Sequence, residues 1–406
     1  MVLPVEAFGQ SAVQRGTPVP HGAFWTQTYD WSADVRPGGK LILRADTGSL
    51  RITPGPAPRL ECRVLLRAFA SSEQRARRVF DTYRLSARPL PNGGVYLSGE
   101  LPGWKQLGRA VGAQFDVKLP SRFDLQVETQ GGDIDLAGSL QGSALLTTAG
   151  GDIHTLNISG PSKIDTAVGG VSLGNLGGRT EIRTAGGSIH VGNVRGDAAI
   201  ETGGGDIEVG QVGGTLRAET PGGDVLVAGA TGPVIAQTAG GQIQVGPTGG
   251  TVRAETAAGS IRLRGASGAI VAETEGGSID LLQLRSAVRA STSAGRILVE
   301  FDANAKNFAS SMLETSLGDV YVYLPPGLPL TIDAAIAAAA GHHIVTDFPL
   351  SILGDQENFA LSSIRGQGPL NGGGQVLRIR TRAGNIEIRK LDSYRVEELK
   401  SKSQNP

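Results

Sequence analysis

A short aliphatic run returns every 18 residues through the middle of the chain. Its lead residue falls at Ile153, Val171, Ile189, Ile207, Val225, Ile243, Ile261, Ile279 and Ile297, within the string T-x-G-G-D/S-I-x-V. A second aliphatic stands two residues later at Leu173, Val191, Val209, Val227, Val245, Leu263, Leu281 and Val299, with Thr155 as the exception. Two residues before the lead residue is always glycine, from Gly151 to Gly295. A fixed period of this length marks a stacked repeat. Alternation over short runs broken by Gly-Gly reads as strand and turn, which excludes a helical solenoid.

Within a coil a second apolar run comes nine positions after the first, as Leu216 and Ala218 follow Ile207 and Val209, behind the pair Gly213-Gly214. Each coil therefore reads as two half-coils, each a short strand and a glycine turn. A left-handed hexapeptide helix wants an aliphatic every six residues, and from Ile207 those places hold Gly213 and Glu219. The predicted fold class is all-β: a parallel β-solenoid, a flattened β-roll or β-helix of about ten coils with capped ends. Parallel coils stack about 4.8 Å apart, so the set would form a single elongated rod roughly 45 Å long.

One threonine column, Thr148, Thr166, Thr184, Thr202, Thr220, Thr238, Thr256, Thr274 and Thr292, shares the parity of the inward aliphatics. Its methyls are expected inside at a corner, with each hydroxyl satisfying turn backbone or the next Thr. The same geometry accounts for the rings: none of the 3 Trp, 6 Tyr and 10 Phe lies between Phe123 and Phe301. Two sheets about 10 Å apart leave room for aliphatic side chains and little else. The 60 glycines accompany only 21 prolines, which fits turns and not a collagen-like or disordered chain.

Charge and cysteine narrow the function classes. With 38 Lys and Arg against 38 Asp and Glu there is no net charge to drive electrostatic nucleic-acid binding. The single Cys62 excludes an internal disulfide framework and a Cys-based zinc site. No run reaches the roughly 18 apolar residues of a membrane-spanning helix; AAIAAAAG, ending at Gly341, is far too short. The opening MVLPVEAFGQSAVQRG has no basic residue before Arg15 and contains Glu6, so it fails as a complete secretory signal, and the remnant of one is an open alternative.

The expected organisation is an N-terminal extension over 1–35, a cap with the first coils over 36–130, regular coils over 131–303, irregular coils and a cap over 304–391, and a polar tail over 392–406. In the first cap, Leu60, Cys62, Val64, Leu66 and Ala68 alternate as a strand, and Ser71 to Tyr83 reads as the one short helix, opened by a Ser cap and Glu73. Phe69, Phe80, Tyr96 and Trp104 belong to this cap, which is needed because a solenoid end exposes unpaired strand edges. The coil pattern also reappears at TGSLRI ending Ile52, GDIDL ending Leu136, LGDVYV ending Val322 and AGNIEI ending Ile388.

The GGDI and GGSI coils, joined to YLPPGLPLTIDAA, a Gly-His-His-Ile and TDFPL segment and GGGQVLRIRTRAGNIEI, resemble a bacterial candidate-adhesin family of unknown function with β-strand repeats. The resemblance runs from about Lys40 to Leu391. It implies a β-solenoid of envelope-associated or surface character, periplasmic or exposed, and it carries no agreed catalytic residues.

Candidate sites are weighed against structural readings. Glu201, Glu219, Glu255 and Glu273, with Gln237 between, form an outward column that a glycosidase pair or a cation site would use. Arg217 and Arg253, two residues before Glu219 and Glu255, make a solvated face with ion pairing the better reading. A calcium β-roll would want Asp before every lead aliphatic, whereas Asp152, Asp206 and Asp224 alternate with Gly170, Ser188, Gln242, Ser260, Ser278 and Arg296. His154 and His190 fall in one outward column about 10 Å apart, too far for one metal. No Ser or Cys sits in a nucleophile context, and Gly-Gly before a strand is no phosphate loop. Mixed outward columns do not suit an ice-binding face.

No cofactor and no metal are therefore expected. The expected function is a non-catalytic envelope or surface scaffold or adhesin-like module whose partner is an unidentified protein or glycan, with no nucleic acid and no transmembrane segment. The alternatives are a polysaccharide lyase or hydrolase on a β-helix and an intracellular polymerising scaffold similar in outline to the bactofilins. Partner contact is expected where the repeat becomes irregular, at Tyr321, Tyr323, His342, His343 and Phe348.

Overall fold

The computed structural model describes residues 13–103, 111–303, 305, 308–354 and 363–391; Trp104, residues 1–12 and the polar tail lie outside them. Among the described residues the regular structure is nearly all β with a single α-helix, and the chain divides into two compact units, Met1–Gly203 and Gly204–Pro406. Each unit is a stack of parallel two-sheet coils, the β-solenoid architecture expected. No helix among the described residues is long and apolar enough to cross a membrane.

In the first unit a coil gives a short strand to one sheet and a longer one to the other, as Ile153–Thr155 is followed by Ser162–Thr166. Ile153 pairs in parallel with Val171, and Val171 with Ile189. The long strands Ala144–Thr148, Ser162–Thr166, Thr180–Thr184 and Ala198–Thr202 run in register in the second sheet. Alternate side chains point inward, because a strand repeats every two residues. Ile153 and Ile164 are fully buried, and such burial contributes roughly 1.5–3 kcal/mol per side chain. A further inward column of Leu140, Ile158, Leu176 and Val194 bridges coil to coil between the two strands.

The second unit repeats the plan. Val225, Ile243, Ile261, Ile279 and Ile297 pair successively in one sheet, with Leu216–Thr220, Val234–Thr238, Val252–Thr256, Ile270–Thr274 and Val288–Ala294 in the other.

The constant glycine has a steric cause. A Cβ on Gly151 would lie 2.1 Å from the carbonyl oxygen of Gly132, and one on Gly259 would lie 1.8 Å from that of Gly241. Equivalent glycines of successive coils stack backbone on backbone. The residue before it is less confined: a Cβ on Gly150 meets nothing within 4 Å, Val168 stands in the same place at 68% exposure, and the tightest approach is 3.0 Å, at Gly222.

Threonine joins this glycine column. Thr166 Oγ1 donates to Gly151 O at 2.9 Å and accepts from Gly169 N at 3.3 Å. Thr256 does the same with Gly241 O at 2.9 Å and Gly259 N at 3.2 Å. Of the two partners expected for these hydroxyls, the turn backbone is the one used.

Both units close with strands out of sequence order. In the first, Lys40–Ala45 lies between Gly94–Glu100 and Asp124–Thr129, and Ser49–Gly55 lies between Val111–Pro120 and Ile134–Leu136, all parallel. Antiparallel strands then cover the edges: Arg59–Phe69 on Val111–Pro120, the 11-residue Phe24–Asp34 on Arg59–Phe69, and Arg84–Leu90 on Gly94–Glu100. Phe24–Asp34 was not anticipated; it falls in what was read as an extension. The Glu73–Thr82 helix starts at Ser72, whose Oγ accepts from Arg75 N, and buries Ala76 and Phe80. Tyr29 Oη donates to Phe80 O at 3.0 Å.

In the second unit Val376–Ala383 is inserted between Ser311–Leu317 and Leu330–Ile336, and Ile386–Lys390 between Val320–Leu324 and Ile344–Thr346. Ile364–Leu370 runs antiparallel along the far side of Leu330–Ile336, with Ser351–Leu353 outside it.

Candidate functional site

The polar residues of the repeat are engaged in holding coil to coil. Asp152 Oδ1 accepts from Gly170 N at 2.7 Å, and Asp224 Oδ1 accepts from Gln242 N at 2.7 Å. A carboxylate that satisfies the backbone of the next coil is turn chemistry, which explains why Asp recurs in this place without forming a ladder. Asn157 Oδ1 and Asn175 Oδ1 likewise accept from Asn175 N and Asn193 N, each at 3.0 Å. This asparagine column repeats every 18 residues but escaped the sequence reading because no apolar signal accompanies it.

The outward glutamates are paired. In the first unit Arg183 contacts Glu181 at 2.6 Å and Glu201 at 3.4 Å. In the second, Arg217 pairs with Glu219 and Arg253 with Glu255, Gln237 Nε2 donates to Glu255 Oε2 at 2.6 Å, and Arg289 lies 3.8 Å from Glu273. His154 and His190 occupy one outward column with Ser172 between. Among the described residues no group of three His, Cys, Asp or Glu side chains could hold a metal ion.

Alternating charge also crosses the first unit's outer face. Asp30, Arg63, Asp116, Arg51 and Asp135 are successive cross-strand neighbours. Arg63 bonds Asp30 at 2.6 Å and Arg51 lies 3.6 Å from Asp135. A shallow depression of about 480 Å³ opens over Asp30, Arg63 and Asp116 of this row, beside Gln14, Glu61 and Lys118. Exposed pairs of this kind contribute about 0–1 kcal/mol each.

The irregular end of the second unit is different. Tyr321 is half-buried, with Leu298 and Glu387 as its cross-strand neighbours. Its hydroxyl donates to Asp319 Oδ2 at 3.3 Å, and burial, aided by the Asp319 carboxylate, pushes the phenol up. One step along, Tyr323 lies between Glu300 and Arg389. Arg389 reaches Asp347 at 3.1 Å and Glu387 at 3.2 Å, and Lys390 N donates to Asp347 Oδ2 at 3.0 Å. Burial opposes ionisation of Asp347, but the bonds from Lys390 N and Arg389 outweigh it and hold the carboxyl below the usual carboxylate range.

Two of the rings expected to contact a partner are buried. Tyr323 is 9% exposed and Phe348 is 8% exposed, so neither offers a free ring. Phe348 is turned in by a local loop in which Thr346 Oγ1 accepts from Phe348 N at 3.0 Å. His342 and His343 lie in a turn ahead of Ile344–Thr346, not on a strand; His342 N donates to Ala339 O and His343 N to Asn385 Oδ1, both at 2.9 Å. The structure thus gathers Tyr321, Glu387 and Arg389 on adjoining strands, with Asp347 in the bend just after a third. The last three were missed, because only the insertion of Ile386–Lys390 beside Val320–Leu324 sets Glu387 next to Tyr321 and Arg389 next to Tyr323, and Arg389 then draws in Asp347. Fixed phenol, guanidinium and carboxylates suit recognition of hydroxyl or amide groups. A carboxyl held ionised by a guanidinium is a poor general acid.

Fold and site together define a parallel β-solenoid protein whose repeat polar groups are structural and whose irregular end carries a polar cluster. Residues 113–246 match the family described as Toastrack DUF4097, so this segment is a Toastrack domain and the resemblance read from the coils holds. No curated protein matches the chain. The crystal structure of a candidate cell adhesion protein from Clostridium sporogenes ATCC 15579 is similar at 10% identity, covering 89% of this chain and 99% of that chain, with a TM-score of 0.17, a likeness too distant to bear on fold or function.

Proposed function

We propose that this chain is a non-catalytic binding or scaffold module of adhesin-like character, working at a bacterial cell envelope or surface with a protein or glycan as partner. The observation that carries the reading is the fate of the repeat's polar side chains. Thr, Asp and Asn bond the backbone of the neighbouring coil, and Glu pairs with Arg, as in Thr166 with Gly151, Asp152 with Gly170 and Glu255 with Arg253. Stacked units of this kind make rigid, repetitive faces suited to extended contacts. Partner recognition falls to the irregular end, where the cluster around Tyr321 and Arg389 breaks the repeat.

The test is fractionation of cells with protease accessibility on intact cells, read by an antibody to the repeat region. Surface or periplasmic protein is expected. A purely cytoplasmic pool would overturn the envelope reading. A glycan and protein-partner screen with Tyr321→Ala and Glu387→Ala variants then checks the site: binding unchanged in both would remove it.

A further inference from the structure

We propose that Val376–Ala383 and Ile386–Lys390 form an exchangeable plug that leaves its slot in one chain and fills the same slot in a second copy, linking the two. The inference does not depend on the envelope reading. It starts from topology: the plug is paired on both edges, to Ser311–Leu317 and Leu330–Ile336 in one sheet and to Val320–Leu324 and Ile344–Thr346 in the other. Its Leu377, Ile379, Ile386 and Ile388 are fully buried. An emptied slot would present unpaired backbone on two facing strands of each sheet. An identical plug from a second copy satisfies all of those groups at once.

The hinge is built for such a move. Between Leu370 and Val376 the chain crosses from one edge of Leu330–Ile336 to the other. It does so through Asn371 at φ 52, Gly372 at φ 90, Gly373 at φ 80 and Gly374 at φ 156, four successive residues in left-handed backbone. Asn371 is held there by its Nδ2, which donates to Pro326 O at 2.8 Å and Leu328 O at 2.9 Å. Glycine takes such angles without strain, so three consecutive glycines let the segment swing out into an extended path while every plug contact is remade in the partner.

Charge completes the match. The plug carries Arg378, Arg380 and Arg389, and the slot supplies Asp333 and Asp347. Arg378 lies 3.5 Å from Asp333, Arg380 bonds Asp333, and Arg389 lies 3.1 Å from Asp347. These pairs form equally well within one chain or between two, so they select this plug over unrelated strands.

The experiment uses full-length chains carrying two different tags. One copy has Met312→Cys in the slot and the other Arg378→Cys in the plug, residues directly paired in register. Adjacent parallel residues on one face are within disulfide reach, and the native Cys62 is buried. After mixing, gentle warming and oxidation, a disulfide-linked heterodimer is expected, and none from the mismatched mixture of Leu353→Cys with Arg378→Cys. A chain carrying both Met312→Cys and Arg378→Cys closes the bond internally and reports that the slot is formed. If that chain closes but the matched mixture yields no more dimer than the mismatched one, or if that chain fails to close, the proposal falls.

Discussion

Thr166 Oγ1 donates to the carbonyl of Gly151, 15 residues earlier and 2.9 Å away. The bond ties a corner of one coil to the glycine column of the coil before it, and the same pairing recurs from Thr148 with Gly132 to Thr292 with Gly277. Threonine and glycine therefore repeat together for one reason: the glycine lets the backbones approach, and the hydroxyl bonds across the approach.

Thr166→Val should destabilise the chain by about 1–3 kcal/mol, since it leaves the carbonyl of Gly151 and the N–H of Gly169 without this partner. The same change at Thr155 should stabilise it by about 1 kcal/mol. Thr155 is 7% exposed and its Oγ1 is buried with no hydrogen-bond partner, in an aliphatic column where Val belongs. Denaturant unfolding of the two variants checks the opposite signs.

The two glycines of one turn should behave oppositely. Gly151→Ala forces its Cβ to within 2.1 Å of Gly132 O, where backbone has to move, and should cost more than about 3 kcal/mol or abolish folding. Gly150→Ala meets nothing within 4 Å and should change stability by less than about 0.5 kcal/mol. Thermal melts of the pair settle the contrast.

Burial, assisted by the Asp116 and Asp30 carboxylates, pushes the Cys62 thiol up to about 12. At pH 8 it is a thiol and not a thiolate, and it is 2% exposed. An alkylating reagent should therefore label it only as the first unit opens. Immediate labelling of the folded chain would contradict this placement.

Acid should weaken the end of the second unit. For Asp333, burial opposes ionisation, but hydrogen bonds from Arg380, Gln367 and Arg378 overcome it and hold the carboxyl low; Asp347 is lowered as well. A carboxyl lower in the folded than in the unfolded chain contributes stability that is whole above the ordinary carboxylate range and disappears as pH falls through the folded value. Asp347→Asn should cost about 0.5–1 kcal/mol at pH 7 and flatten the loss below pH 4. Urea midpoints measured from pH 7 to pH 3 give the comparison.

The coil itself was legible because its signals are local and repeated: Ile153 and Val171, Thr166 and Thr184, the constant Gly151 and Gly169. The column of Leu140, Ile158, Leu176 and Val194 was not, since it follows a bend and falls out of step with the alternation on either side. The partner-contact residues were read by the same local logic, and two failed. Tyr323 and Phe348 stand where rings interrupt the repeat, but whether such a ring faces solvent depends on what packs over it, and Ile386–Lys390 and the turn at Thr346 bury them.

The sequence by itself determined the two-sheet coil, its parallel register and the identity of the inward columns carried by its strands, because each follows from spacing along the chain. Only the tertiary structure decided the order of coils at the two ends, where Lys40–Gly55 is enclosed by strands that follow it and Val376–Lys390 lies between strands that precede it. A parallel strand edge binds any strand of matching length and parity, so the choice among them is made by which edge the intervening chain can reach.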